Sequence, residues 1–214
     1  MNKTPELIRT PDGCYSVEGA GPELLGELLD TFQDEMRRAG WTAQDQLAPG
    51  IRAAEIRQQL AQAQLQVPDE LVVFYGWHNG FLSVPDGLPM GSILPSVTLM
   101  SLERSLASYV TSGASPVVPR SFWHPGWLRL EEVRPGYMIE CGPPELPPRL
   151  AYISEDNPFE GPRRRAALRS ICTLATVWID LIRQGASTWT GAYWQFDRTK
   201  VTEAQAMSGI VDPY

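Results

Sequence analysis

One short segment in the first half of the chain, V-P-D-E-L-V-V-F-Y-G-W-H-N-G-F at 67–81, constrains the fold more than any other. Pro68 suits a first helical turn, because its missing N–H would have no partner inside the helix there. Asp69-Glu70 then places negative charge at the helix end that favours it. Asn79-Gly80 tolerates the left-handed backbone that ends many helices. The segment therefore predicts a short helix, and one face of it carries Leu71, Phe74, Tyr75 and His78.

Three further segments carry the apolar period of amphipathic helices. The first, Pro22–Ala39, has an apolar stripe with acidic and basic residues on its other side. The second runs from about residue 52 to residue 64. The last covers Leu174–Gln184, with Thr173 as its predicted N-cap. The first and last segments are each followed by a glycine, which commonly ends a helix.

Beyond residue 80 the sequence changes to short apolar runs separated by proline and glycine, as in strands joined by turns. A short helix is predicted at Ser101–Tyr109, and the proline-dense Gly142–Pro148 predicts a long hairpin loop. Helices followed by strands and a final helix indicate an α+β fold, not a doubly wound parallel sheet. The strand candidates are Gly91–Leu94, Val97–Leu99, Trp127–Leu130, Tyr137–Cys141, Leu150–Ser154 and Ala167–Ile171.

The charge balance argues against one broad class of function. The chain has 18 Lys and Arg against 25 Asp and Glu, for a formal net charge of −7. A general nucleic-acid binder would need the opposite balance, because its affinity comes largely from neutralising phosphates. An acidic surface serves either solubility or association with a partner that has a basic surface.

The sequence carries no mark of a secreted or membrane-spanning protein. Cys14, Cys141 and Cys172 are isolated, without the spacing of a metal site or a disulfide framework. The N-terminal residues lack the apolar core of a signal peptide, and no apolar run approaches the length that crosses a bilayer. We therefore expect a cytoplasmic protein that needs no metal or other cofactor.

Residues that could support catalysis are few. His78 and His124 are the only histidines, and His78 lies on the predicted apolar helix face, where a structural role is expected. No HExxH, GxSxG or phosphate-binding glycine loop occurs. Acidic pairs occur at Asp69-Glu70, Glu131-Glu132 and Glu155-Asp156, but adjacent carboxylates on a helix or strand diverge. We assign the first pair to a helix start and the other two to solvated turns, and predict that the protein is not an enzyme.

Several phrases resemble a known family when they are taken in order along the chain. The strongest begins Val67-Pro68-Asp69-Glu70-Leu71 and continues through Phe74-Tyr75 to Asn79-Gly80. Before it stands Leu47-Ala48-Pro49-Gly50-Ile51 with Ala54-Glu55-Ile56, and after it come Trp127-Leu128, Gly136-Tyr137-Met138-Ile139 and Thr173-Leu174-Ala175. Together they resemble the SUKH superfamily, which includes Smi/Knr-type cell-wall assembly regulators and many bacterial immunity proteins. Val67 replaces the usual leucine, and the Gly142–Pro148 loop is longer than the family's hairpin.

This resemblance implies a particular α+β architecture. A SUKH-like domain has N-terminal helices, a central and mostly antiparallel sheet of about five to six short strands, and a closing C-terminal helix. The resemblance covers residues 41–190. Residues 1–40 are then an N-terminal arm with an extra helix, and residues 191–214 form a C-terminal tail. Because prolines and glycines interrupt residues 1–20, we expect that part of the arm to be loosely organised.

The resemblance also implies a role in protein binding, with no catalytic, cofactor or metal residues to transfer. Bacterial members are commonly immunity proteins that neutralise a cognate toxin, often a nuclease, and the net charge suits a basic toxin domain. A regulatory or scaffolding role in cell-wall assembly or signalling is the alternative within the family. An undetected hydrolase that uses His78 or an acidic pair is the alternative from another class.

For a partner surface, acidic and aromatic residues of predicted loops are the candidates. An acidic patch would speed association with a basic domain, and an exposed aromatic ring would anchor it. We expect no direct contact with nucleic acid or a membrane. The partner-binding candidates are Asp86, Glu155, Asp156, Phe159 and Glu160.

Overall fold

A computed structural model of the chain describes residues 4–82, 98–114, 125–131, 136–153 and 166–202. These ranges contain helices and a sheet, which confirms the predicted α+β class. The helices are α1 (Pro22–Arg38), α2 (Ala53–Gln62), α3 (Asp69–Trp77), α4 (Leu102–Ala114) and α5 (Ile171–Arg183). The strands are β1 (Leu7–Arg9), β2 (Tyr15–Val17), β3 (Leu47–Pro49), β4 (His78–Phe81), β5 (Trp127–Arg129), β6 (Gly136–Glu140), β7 (Arg149–Ile153), β8 (Ala166–Arg169), β9 (Ser187–Trp189) and β10 (Trp194–Phe196).

Six of the strands form one mixed sheet in the order β1-β2-β8-β7-β6-β5. All neighbours in it run antiparallel except β2 and β8, which run parallel. The sheet is thus mostly antiparallel, as predicted. Strands β6 and β7 pair from Gly136↔Ile153 to Ile139↔Leu150, and the loop between them contains the proline-dense segment.

The N-terminal strands belong to this sheet, so the prediction of a loosely organised arm is wrong for residues 7–17. β1 pairs with β2, for example at Leu7↔Val17, and β2 pairs with β8 at Tyr15↔Leu168. Val17 is buried in the main hydrophobic core. The local sequence shows no strand period, and it gives no sign of β8, the strand near the other end of the chain through which β2 joins the sheet.

Helix α5 lies at the centre of the hydrophobic core. Every residue from Ile171 to Ile179 is buried, because α5 packs against β2 and β8 as well as against α1. Phe32 of α1 stacks on Trp178 of α5 with ring centroids 5.2 Å apart. Glu35 of α1 is 6 % exposed and accepts a hydrogen bond of 2.9 Å from Arg183 of α5. The helix assigned to the N-terminal extension therefore shares one core with the last helix.

The start of α5 differs from its prediction. Ser170, not Thr173, is the N-cap, and its Oγ accepts a hydrogen bond of 2.9 Å from the N–H of Cys172. Thr173 lies inside the first turn, where its hydroxyl donates to the carbonyl oxygen of Arg169. The helix therefore begins closer to β8 than predicted. Tertiary contacts hold its first residues, and the local apolar period does not reveal such contacts.

The end of α3 also differs from its prediction. The helix ends at Trp77, and His78 has an extended backbone that begins β4. β4 pairs with β3 in a separate two-stranded sheet, at Leu47↔Phe81 and at Pro49↔His78. Asn79 caps α4, since its Oδ1 accepts a hydrogen bond of 2.8 Å from the N–H of Leu102. Pairing with a distant strand has therefore overridden the helical period.

Two glycines permit close backbone contacts beside α3. A Cβ on Gly50 would lie 1.8 Å from the carbonyl oxygen of Gly76. A Cβ on Gly80, whose φ is +77°, would lie 2.5 Å from the backbone nitrogen of Ser101. Real Cβ atoms do not approach backbone so closely, so both positions require glycine.

The remaining predicted elements are only partly described. Gly91–Leu94 lies outside the described residues, and so does the start of Val97–Leu99, whose Leu99 forms an isolated bridge with Glu131. Near the C-terminus, β9 and β10 form a hairpin in which the rings of Trp189 and Trp194 lie 5.7 Å apart. No helix in the described ranges is long and apolar enough to cross a membrane. The division into segments 1–40, 41–190 and 191–214 stays a prediction.

The glycine contacts predict opposite effects for one chemical change at two positions. Gly50→Ala should lower the free energy of unfolding by about 2–3 kcal/mol or more, because the new methyl group meets fixed backbone. Gly26→Ala, inside α1 with open space around the new methyl group, should raise it by about 0.5–1 kcal/mol. Urea denaturation measures both. Equal stability of Gly50→Ala and the wild type would contradict the close packing.

Candidate functional site

One end of the main sheet gathers the loop between β6 and β7 and the N-termini of α1, α3 and α5. The first turn of α3 lies against this loop, since the N–H of Asp69 donates to the carbonyl oxygen of Pro144 at 3.3 Å. The start of α5 also lies against it, since the N–H of Ser170 donates to the carbonyl oxygen of Pro148 at 2.6 Å. The Sγ of Cys172 lies 3.3 Å from the carbonyl oxygen of Gly21, just before α1. The starts of α3 and α5 therefore hold the loop, and the start of α1 adjoins that of α5.

The side chain of Glu70 joins two of these helix starts. It belongs to the first turn of α3, yet its carboxylate caps α5 and is only 3 % exposed. The N–H of Ile171 donates to it at 2.6 Å, and the Oγ of Ser170 lies 2.8 and 2.9 Å from its two oxygens. Burial raises the pKa of Glu70, and the hydrogen bonds from Ser170 and Ile171 oppose that shift. The acidic pair thus does more than start its own helix.

A row of interacting side chains crosses the sheet face that is turned away from α5. Trp127 of β5 pairs with Glu140 of β6, and Arg149 of β7 pairs with Arg169 of β8. The adjacent residues Leu128, Ile139, Leu150 and Leu168 point to the main core, so the row lies on the other face.

Carboxylates hold both arginines of this row. Glu140 accepts hydrogen bonds of 2.5 Å from Nε and Nη2 of Arg149. Asp12, in the turn before β2, accepts from Nε of Arg169 at 3.1 Å and also from its Nη2. Hydrogen bonds from Arg169 hold the pKa of Asp12 below its usual range. The Arg149 guanidinium also lies 5.8 Å from the centre of the Trp127 ring. These contacts fix the direction of both guanidinium groups, although two positive charges stand side by side.

A cleft of about 460 Å³ lies beside this row. Glu140, Arg149 and Arg169 form its charged part. The rest of its lining forms a mostly apolar wall, which includes Leu146, whose side chain is 56 % exposed at the tip of the proline loop. A second cleft of about 230 Å³ lies on the other side of the same loop. The loop is therefore a ridge between two clefts.

The exposed face of α1 carries a line of carboxylates. Glu23, Glu27, Asp30 and Asp34 are all exposed and recur at helical spacing. At 100° per residue they fall within a sector of about 60°. Asp34 forms an ion pair of 3.1 Å with Arg37, while no ion pair within the described residues involves the other three. We refer to these four residues as the α1 acid stripe.

The groups that could act in catalysis have structural surroundings where they are described. His78 lies 3.0 Å, through Nδ1, from the carbonyl oxygen of Ala48, and burial lowers its pKa. The three cysteines are buried thiols, and burial raises the pKa of Cys141 to about 12. No group of three or more histidine, cysteine, aspartate or glutamate residues within the described ranges could hold a metal ion.

The partner-binding candidates from the sequence, together with His124, lie outside the described residues and stay predictions. They are Asp86, Glu155, Asp156, Phe159 and Glu160.

The assignment of Glu131 to a solvated turn is wrong. Its side chain is 5 % exposed, and its carboxyl accepts a hydrogen bond of 3.0 Å from the N–H of Tyr137. Burial raises its pKa to about 8.

Sequence reasoning also missed the charged row, although part of it left a signal. In the runs G-Y-M-I-E and R-L-A-Y-I, strand alternation places Glu140 and Arg149 on one face, and the hairpin brings them together. The contact of Arg169 with Asp12 has no such signal, because it joins the two ends of the chain.

The capping role of Glu70 predicts a marked loss of stability when its charge is removed. Glu70→Gln should lower the free energy of unfolding by about 1.5–3 kcal/mol, because a neutral amide loses the charge assistance of these hydrogen bonds and replaces one acceptor oxygen with an NH₂ group. Asp69→Asn is the matched control. It breaks only an exposed ion pair with Arg57 and should cost under about 1 kcal/mol. Equal losses in chemical denaturation would refute the capping role.

The raised pKa of Glu131 predicts a dependence of stability on pH. The folded state binds the proton more tightly than the unfolded state, whose pKa is near 4.5. The contribution of this group to the free energy of unfolding is therefore complete below pH 4.5, and it is lost as the pH rises to about 8. The slope should reach about 1.4 kcal/mol per pH unit. Glu131→Gln should lack this pH dependence. As the pH rises from 4.5 to about 8, the unfolding free energy of the wild type should therefore fall relative to that of the variant. A constant difference would contradict the assignment.

The comparisons with known proteins add no family name to this geometry. A scan against protein-family models finds no match, and a search of curated proteins finds no relative. The SUKH resemblance of the sequence phrases therefore stays a prediction.

Proposed function

We propose that this chain is a non-enzymatic protein-binding domain of the immunity type, which neutralises a toxin by binding its basic surface. The observation that supports this most directly is the α1 acid stripe. The net charge of −7 points in the same direction. The stripe adds what the composition lacked, which is a defined and exposed surface for the partner.

The stripe is unfavourable for the helix that carries it, which supports a role outside the helix. Its neighbours are like charges three or four residues apart, and each such pair costs about 0.2–0.5 kcal/mol. Asp34 also lies in the C-terminal half of α1, where a negative charge gains nothing from the helix dipole. The apolar side of α1 is buried against α3 and α5, so the carboxylates face solvent on a fixed support.

A nuclease is the toxin class that this surface suits best. A nuclease must attract the phosphate backbone, so its substrate cleft is basic. A fixed line of carboxylates about 16 Å long, at 1.5 Å rise per residue, can follow such a cleft in place of the phosphates. Opposite fields also speed the encounter, which matters for an inhibitor that must act before the toxin does.

The proposal is tested with paired baits. The tagged wild-type chain and the variant Glu23→Lys/Glu27→Lys/Asp30→Lys are used to capture partners from the native host. A matched control, Glu6→Lys/Glu18→Lys/Asp45→Lys, makes the same change of net charge at exposed positions elsewhere. A captured partner is then expressed alone and together with each form, and its toxicity and association rate are measured.

We expect the wild type and the control to capture a basic nuclease domain and rescue growth. The stripe variant should associate roughly 10–100-fold more slowly and fail to rescue. Its unfolding free energy should change by less than about 0.5 kcal/mol, because the positions are exposed. Equal rescue by the stripe variant would overturn the role of the stripe. Capture of envelope-assembly or signalling proteins alone would instead favour the regulatory alternative.

The loop residues predicted from sequence form a second arm of the same experiment. Alanine at Asp86, Glu155, Asp156 and Glu160 together should weaken capture if those loops add to the interface. Unchanged capture would remove them and leave the stripe as the acidic surface.

A further inference from the structure

We propose that the cleft beside the charged row binds an apolar carboxylate, whose charged group is held by Arg149 and Arg169. This ligand site is separate from the α1 acid stripe, so the inference stands without the proposed immunity function. The ligand class follows from three features of the cleft: the pairing of the arginines, the apolar wall and the balance of charge.

The pairing of the arginines is the first feature. Arg149 and Arg169 stand directly opposite each other on neighbouring strands, an arrangement that destabilises a sheet. Each uses Nε and Nη2 to bind its carboxylate. No hydrogen bond within the described residues engages Nη1 of either guanidinium, and both side chains line the cleft. Two oriented guanidinium groups can therefore donate to one carboxylate placed between them.

The apolar wall is the second feature. It is formed by Leu146 and the prolines Pro125, Pro143, Pro147 and Pro148. Proline rings have few conformations to lose, so hydrocarbon can pack against them at little entropic cost. The loop is held in place by the hydrogen bonds of Asp69 and Ser170 to its carbonyl groups. At about 460 Å³ the cleft has the size of a small-molecule site.

The balance of charge is the third feature. Glu140 and Asp12 offset the two arginines, and the Glu140 carboxylate also lines the cleft. Beyond Arg149 and Arg169, no cationic side chain among the described lining residues could bind further charges of a polyanion, and Glu140 would repel each of those charges. A single carboxylate can accept from the two Nη1 atoms, and the burial of its hydrocarbon part against the prolines supplies the remaining free energy. The ligand is thus monoanionic and amphipathic.

Two sources share this chemistry, a free small carboxylate and the last residue of a polypeptide. The probes are N-acetyl-leucine, N-acetyl-leucine amide and a short peptide that ends in leucine with a free carboxylate. Each is titrated into the full chain, and amide chemical shifts are followed by NMR. We expect saturable shifts at Gly126, Gly142 and Leu146 with both acids and none with the amide.

The variant Arg169→Gln tests the binding group. Arg169 is 40 % exposed, so its replacement should leave the fold intact. Affinity for both acids should fall roughly tenfold or more, the contribution of one hydrogen bond to a charged group. Arg37→Gln, which removes an equally exposed and ion-paired arginine from α1, should leave affinity unchanged.

The outcomes separate cleanly. Tighter binding of the peptide assigns the site to a polypeptide C-terminus, and equal binding assigns it to a free carboxylate. Equal binding of acid and amide by the wild type would overturn the proposal without any variant. Absence of saturable binding by either acid would overturn it too, as would unchanged affinity in Arg169→Gln. None of these results depends on the toxin.

Discussion

The buried carboxylate of Glu70 fixes the relation between α3 and α5, and the rest of the molecule is arranged around that relation. A charged group in this position would be unfavourable alone, but the free N–H groups at the start of α5 and the hydroxyl of Ser170 surround it. The positive ends of two helix dipoles meet at the same point. α5 then supports the sheet on one side and α1 on another. A single side chain thus sets the position of the helix on which the other layers pack.

The same junction explains why the end of the sheet is suited to binding. The proline loop crosses the starts of α3 and α5 and is held there by backbone hydrogen bonds. Beside it, the two carboxylates of the charged row direct the arginines, so these side chains need little reorganisation when a ligand arrives. On α1 the arrangement is different, since the acid stripe is a solvent-facing line on a helix whose other side is buried. The cleft and the α1 acid stripe therefore lie on separate elements of the molecule.

The sequence predicted those elements whose stabilising contacts are local. The apolar stripe of α1, the hairpin strands β6 and β7 and most of α5 were found because period and turn residues lie within one window. The failures involve partners far along the chain. β2 joins the main sheet through β8, His78 extends because β4 pairs with β3, and α5 begins at the residue that Glu70 caps.

In the candidate site, too, contacts between residues close in sequence could be predicted, and contacts between distant residues could not. Strand alternation could have placed Glu140 and Arg149 together, because one hairpin joins them. Nothing local connects Asp12 with Arg169, or Glu70 with Ser170, so these contacts needed the fold. Charge composition predicted an acidic surface that binds a partner, and the sequence placed it at Asp86, Glu155, Asp156 and Glu160, which lie outside the described residues. The sequence placed charged residues opposite the apolar stripe of α1, and the structure shows that Glu23, Glu27 and Asp30 are exposed there.

The contacts between the two ends of the chain also impose an order on biosynthesis. β2 pairs with β8, and α1 packs on α5, so neither of these contacts can form until the C-terminal part of the chain has been synthesised. The interval between synthesis of α1 and α5 is on the order of ten to thirty seconds at ordinary translation rates. During this interval the apolar stripe of α1 is not yet covered by α5. Because like charges repel, the acidic face of the same helix opposes contact between the uncovered apolar stripes of two such chains.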